Sequence, residues 1–197
     1  MNAIGKLSPG LADPVHDGQR VFRAILEATS RPGRVVTLPL APVGPGTIGF
    51  AATASLLTLA DRDTPVWLAD DLDTEALRDF LRFHGGCPIT RDRSQATFAV
   101  ATAATLPSLD GFGIGSDTYP DRAATLLLEV AALDGGPVRT WRGPGIETAL
   151  PVAIPGLAGS FWADWAANHA LFPCGVDILF TAGSQLCALP RSIAVEA

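Results

Sequence analysis

The chain has 197 residues, 48% of them hydrophobic and 17% charged, with a net charge of −6. That length folds as one domain, 1–197, without needing a disulfide or a metal, and the acidic balance excludes sequence-independent binding to nucleic acid, which needs a basic footprint. No apolar run reaches membrane-spanning length, and the polar start, broken by glycine and proline, lacks the pattern of a secretory signal.

Residues 1–14 read as a loose leader, followed by a helix over 17–29 with Val21, Ile25, Leu26 and Ala28 along one stripe. Ser30-Arg31-Pro32-Gly33 stops it, because proline disfavours helix at the residue before it. A short strand over 34–38 and a glycine–proline loop over 41–49 come next. Residues 51–60 are apolar nearly all round, which predicts a buried helix, and 65–69 a buried strand. Asp73 is placed as the cap of a helix running through His84, with Leu77, Phe80, Leu81 and His84 on one face and Gly85-Gly86 at its end. A strand over 97–101 precedes a loop over 106–122.

Residues 125–133 give the strongest strand pattern. Asp134-Gly135-Gly136 predicts a hairpin turn, with 138–142 returning beside that strand. A helix over 160–170 carries Trp162 and Trp165 three apart, and 176–181 with 185–190 form a second hairpin. Helices and strands alternate early and hairpins dominate late. That order predicts an α/β fold with a mixed sheet and helices on its faces.

Few residues carry obvious chemistry. The turn Asp61-Arg62-Asp63-Thr64-Pro65 offers two carboxylates around an arginine, able to bind a cation or simply to bond nearby backbone amides. His84, near the end of its helix, could cap the last carbonyls or serve a cleft. Arg82 points to a different face from His84. These five residues, Asp61, Arg62, Asp63, Arg82 and His84, are the candidates for binding or for an interface. His16 and His169 have no evident partners in sequence. The three cysteines, Cys87, Cys174 and Cys187, are widely spaced, so neither a disulfide framework nor a zinc site is expected. Cys174 would need a neighbouring base to act as a nucleophile. Gly111 to Gly115 follows no predicted strand and opens no clear helix, unlike a phosphate loop. The single lysine, Lys6, lies in the leader, a poor place for a Schiff base, and no metal or cofactor is expected. A low charged fraction suits a surface partly covered by other chains.

The blocks Phe22-Arg23, Ser30 to Gly33, Leu57 to Leu68, Leu81 to His84, Gln95 to Val100, Ala124 to Leu126, Phe172-Pro173, Gly175-Val176-Asp177 and Leu189-Pro190-Arg191 stand in one order across roughly residues 10 to 193. Together they resemble the H subunit of the bacterial carbon–phosphorus lyase core complex. The resemblance implies a three-layer α/β/α sandwich like that of the pyridoxal-phosphate-dependent transferases, without the cofactor site. It implies a homodimer that assembles with the G, I and J subunits; the unpaired cysteines and the missing secretory signal set the expected location as the cytoplasm. With the G, I and L subunits it would support transfer of the ribose triphosphate of ATP to a phosphonate, releasing adenine. No catalytic residue is carried over by it, and no activity is expected of the chain alone. Segments 70–78 and 106–119 depart most from the family pattern. The competing expectation is a self-sufficient enzyme or small-ligand binder with a site near Asp61, Asp63 and His84.

Overall fold

A computed structural model describes residues 8–40, 42–106 and 108–197; Lys6 lies outside them. The first helix, α1 (Pro14–Ser30), starts earlier than the apolar stripe alone predicts. Asp13 supplies the reason: its side chain accepts hydrogen bonds from the Val15 and His16 amides, and Pro14 stands where its missing N–H costs nothing. Asp17 reaches back to the Asp13 amide at 3.0 Å. The expected leader is likewise held in its last part, since Gly10 pairs with Val43 through two backbone hydrogen bonds.

Strand β1 (Val36–Thr37) is followed by α2 (Phe50–Leu59), β2 (Val66–Leu68), α3 (Glu75–Gly85), β3 (Ile89–Thr90) and β4 (Phe98–Thr102). Thr74, not Asp73, caps α3 by accepting from the Leu77 amide at 3.2 Å. Asp73 instead forms a two-pronged pair with Arg78, whose guanidinium holds its carboxyl below the usual aspartate range. Gly86 closes α3 in the left-handed region at φ 67°, where a side chain would be strained.

Then come β5 (Thr125–Glu129), β6 (Val138–Arg142), β7 (Leu150–Ala153), α4 (Gly159–Ala170), β8 (Asp177–Ala182), β9 (Gln185–Leu189) and β10 (Ala194–Glu196). Seven strands form one mixed sheet in the order β1-β9-β8-β5-β4-β2-β3. The five strands from β8 to β3 run parallel; β9 runs against them, and β1, antiparallel to β9, runs with them again. Helices α1, α2 and α3 cover one face of it, packing on Leu127, Val100 and Leu179. On the other face, α4 brings Phe161 and Trp165 against Leu126, Leu128 and Phe180. The predicted mixed α/β architecture with helices on both faces is therefore present.

The hairpin expected between residues 125–133 and 138–142 is not. Strand β5 has β4 on one side and β8 on the other, so no edge is left for β6. It also ends at Glu129, the Val130 amide bonding to Thr181 O. Strand β6 pairs instead with β7 and β10 in a separate three-stranded antiparallel sheet. The second predicted hairpin, β8–β9, is formed in register Ile178 to Leu189. Trp165 donates its indole N–H to Ile193 O at 3.0 Å, tying α4 to the segment that leads into β10.

One ion pair joins the ends of these elements. Asp177 opens β8, and Arg191 follows β9. The Arg191 side chain donates to both carboxylate oxygens of Asp177, at 3.1 and 2.5 Å, and its backbone amide to the same carboxylate at 2.8 Å. Its remaining Nη1 donates to Pro120 O at 2.7 Å, and its carbonyl accepts from the His169 ring at 2.8 Å. His169 thus has a partner, as does His16, which lies 2.7 Å from Asp13 Oδ2. Replacing Arg191 by Met leaves the half-buried Asp177 carboxylate with only the backbone amide of residue 191, and Pro120 O with only the long contact from the Ala123 amide. We expect a loss of about 2–4 kcal/mol in denaturant unfolding; an unchanged midpoint would show that the pair only decorates the surface.

Candidate functional site

The Asp61–Pro65 turn uses most of its polar groups on itself. Asp61 Oδ1 accepts from the Asp63 amide at 2.9 Å, and the Asp61 amide donates to Thr64 Oγ1 at 2.6 Å. This is an aspartate turn built from its own side chains. Arg62 and Asp63 approach at 3.6 Å but are 87% and 81% exposed, so the contact adds less than about 1 kcal/mol. The end of α3 passes beside this turn: a Cβ on Gly86 would stand 4.0 Å from that of Arg62. Arg82 is exposed on α3, 4.0 Å from Asp79.

His84 turns away from these groups. Its Nε2–H donates to Ser8 O at 2.9 Å, and the ring packs on Phe80 and Phe83, with centroids 4.6 and 5.0 Å away. A Cβ on Gly10 would come within 2.9 Å of this ring, so glycine is needed there. The histidine therefore latches the residues before α1, and does not cap its own helix as expected. Among the described residues no hydrogen bond or ion pair joins it to Asp61 or Asp63, and no group of three potential ligands could hold a metal. The structure sets the Asp61–Asp63 turn beside the end of α3 and leaves Arg82 exposed on that helix, with no contact joining it to the turn among the described residues. It does not build an acid–base pair from them.

The other sequence candidates are tied into structure. Cys174 is buried 3.7 Å from Asp117 Oδ1, and burial followed by that carboxylate's charge pushes its thiol up, the opposite of what a nucleophile needs. Burial pushes Cys187 up to about 12. The glycine string is strapped down, with Gly113 O accepting from the Ala124 amide at 2.7 Å and Ile114 O from Gly175 at 2.9 Å. Trp165 is core, whereas Trp162 is half-buried with the Arg139 guanidinium 4.9 Å over its ring.

Sequence reasoning missed Glu129. It ends β5, at the carboxyl edge of the parallel strands, where doubly wound sheets carry their ligands. Its Oε1 accepts the Gly49 amide at 2.5 Å, replacing the side-chain cap that α2 lacks. Its register neighbour Thr181 is 1% exposed, and the hydroxyl has no partner among the described residues. Burial raises the Glu129 pKa, offset in part by the Gly49 hydrogen bond. The only signal in sequence is one acid closing the run Leu126-Leu127-Leu128.

Residues 9–196 match the family described as bacterial phosphonate metabolism protein (PhnH). The chain belongs to this family. It is 40% identical over 190 residues to the alpha-D-ribose 1-methylphosphonate 5-triphosphate synthase subunit PhnH of Rhizobium meliloti (strain 1021), covering 96% of this chain and 95% of that one. It is also 30% identical over 177 residues to HtxG of Stutzerimonas stutzeri, named as a C-P lyase subunit protein, covering 88% of this chain and 83% of that one. The family blocks read from sequence fall on the structural joints: Ser30 to Gly33 ends α1, Asp61 to Pro65 links α2 to β2, and Asp177 with Arg191 forms the ion pair.

A pH measurement isolates Glu129. A carboxyl whose folded pKa is raised binds its proton more tightly in the folded state. Its stabilising effect is complete below the unfolded value and is lost as pH rises through the folded one. Glu129→Gln keeps an acceptor for Gly49 and removes the titration. Unfolding midpoints from pH 4 upward should therefore move in favour of the glutamine variant as pH rises; parallel curves would rule the coupling out.

Proposed function

We propose that this chain is the H subunit of a phosphonate-degrading carbon–phosphorus lyase core complex. Its role is to support, with the G, I and L subunits, transfer of ribose triphosphate from ATP to an alkylphosphonate with release of adenine. The near-complete match to the Rhizobium meliloti synthase subunit carries this reading. The chain works as one domain in the cytoplasm, as a homodimer assembled with the G, I and J subunits, and has no turnover alone. Its sandwich is of the pyridoxal-phosphate-transferase type, serving as a scaffold without that cofactor.

The exposed region at the end of α3 faces a partner in this reading. Exposed Arg62, Asp63 and Arg82 lie at this end of the helix with Phe83, which is 68% exposed, and Asp61 shapes the turn beside them. Self-bonded carboxylates with no base beside them favour contact over catalysis. His84 serves the region indirectly, by fixing the residues before α1.

The test is reconstitution. The tagged chain, co-expressed with the G, I and J subunits of its own source, should co-purify with them. The mixture supplied with the L subunit, ATP and methylphosphonate should release adenine only when the chain is present. Failure of the wild-type chain to join the complex, or adenine release without it, would sink the proposal. Within that assay, Arg62→Ala with Arg82→Ala should lower complex yield severalfold while the isolated chain unfolds as before. In His84→Ala, hydrogen exchange at the Gly10 and Val43 amides should quicken while the core stays protected; unchanged exchange there would dismiss the latch.

A further inference from the structure

A groove of about 490 Å³ runs between the 109–114 loop and α4, on the sheet face opposite α1–α3. Buried Leu109 and Phe112 lie along it, α4 contributes Asp164, Ala167 and Asn168, and Leu171, which caps that helix, follows on the same side. The lining includes two carboxylates, Asp110 and Asp164, and no basic side chain. Neither carboxylate has an ion-pair partner among the described residues. Arg93 packs on the same loop, its guanidinium 5.4 Å from the Phe112 ring centroid and 3.5 Å from where a Cβ of Gly111 would stand, but it is not among the residues that line the groove.

The walls are apolar and partly open. Ile114 is 38% exposed and Leu171 48%, and Phe172, next in the chain after Leu171, is 61% exposed. The wall is also stiff, because both ends of the Asn168 amide are committed to the Val176 backbone, at 2.8 and 2.9 Å. Side chains from Asp164 to Leu171 span about 10 Å of helix. A groove of that length, apolar at Ile114, Ala167 and Leu171 and carrying two unpaired negative charges, complements an extended chain segment with a lysine or arginine between apolar side chains.

We infer that this groove is a docking surface for such a basic, apolar segment of a partner subunit. The inference rests on the assembly reading above and adds to it a second contact face, across the sheet from the Arg82 region. It predicts that the two faces can be disabled separately.

The experiment uses the full chain and a purified subcomplex of the co-expressed G, I and J subunits. Asp110→Arg with Asp164→Arg reverses the groove's charge, and Leu171→Ser removes its apolar wall without touching a charge. Each variant should keep the wild-type unfolding midpoint and bind the subcomplex at least tenfold more weakly than wild type. Wild-type binding that survives both changes would overturn the groove as an interface and leave the assembly reading standing. A wild-type chain that does not bind the subcomplex would overturn both. If instead a simple probe, an alkylammonium ion, raises the unfolding temperature of the wild-type chain but not of the charge-reversed one, and both variants still bind the subcomplex, the groove is a small-ligand site and the docking inference is wrong.

Discussion

The Asp177–Arg191 pair is the constraint through which the parts of this fold meet. The carboxylate stands at the start of β8, the guanidinium just past the end of β9, and the remaining donor reaches Pro120 ahead of β5. The same arginine's carbonyl receives His169 from the end of α4. One residue therefore fixes the amino edge of the central strands and the return of the antiparallel hairpin through its side chain, and the helix on the opposite face through its carbonyl. A planar guanidinium does this where lysine could not, because its donors point in set directions to three acceptors at once.

Much of this architecture was legible in the sequence, and what failed did so for physical reasons. Helices α1 and α3 followed from apolar stripes, α2 from a run apolar nearly all round, α4 from its aromatic spacing, and Gly86 from its place after α3. The β8–β9 hairpin followed from its turn. The hairpin drawn from β5 to β6 was misplaced because a glycine turn after a strong strand says that the chain reverses, not what it pairs with. The evidence against it was in the side chains: Leu126-Leu127-Leu128 is apolar without alternation, as a strand buried on both faces must be. Val138 to Arg142 is by contrast mostly polar and exposed, burying Trp141 alone. Strands β3, β7 and β10 are only two to four residues long, too short for a periodic signal.

The candidate site was legible by position more than by role. Asp61 to Pro65 was singled out for its charges, yet those groups mainly shape the turn. His84 was placed on the right face of α3, but its acceptor, Ser8 O, lies 76 residues away and could not be read from local spacing. Glu129 was hidden because burial gives a carboxyl its character, and sequence records only the residue type. The exposed apolar residues are spread over α1, α3, the 109–114 loop and the end of α4, consistent with a protein that meets neighbours on several sides.

The borders of both sheets carry a consequence for how such meetings can happen. The large sheet ends on β1 and β3, each two residues long. The small sheet ends on β10, three residues long, and on β7, which contains Pro151. Borders this brief, or lacking an amide donor, offer no ladder on which a foreign strand could zip up. The fold is thereby guarded against runaway stacking of its own copies. Any association must be made by side chains on helices and loops, where it can be specific and reversible, and a neighbour cannot simply continue the backbone hydrogen bonding of the sheet.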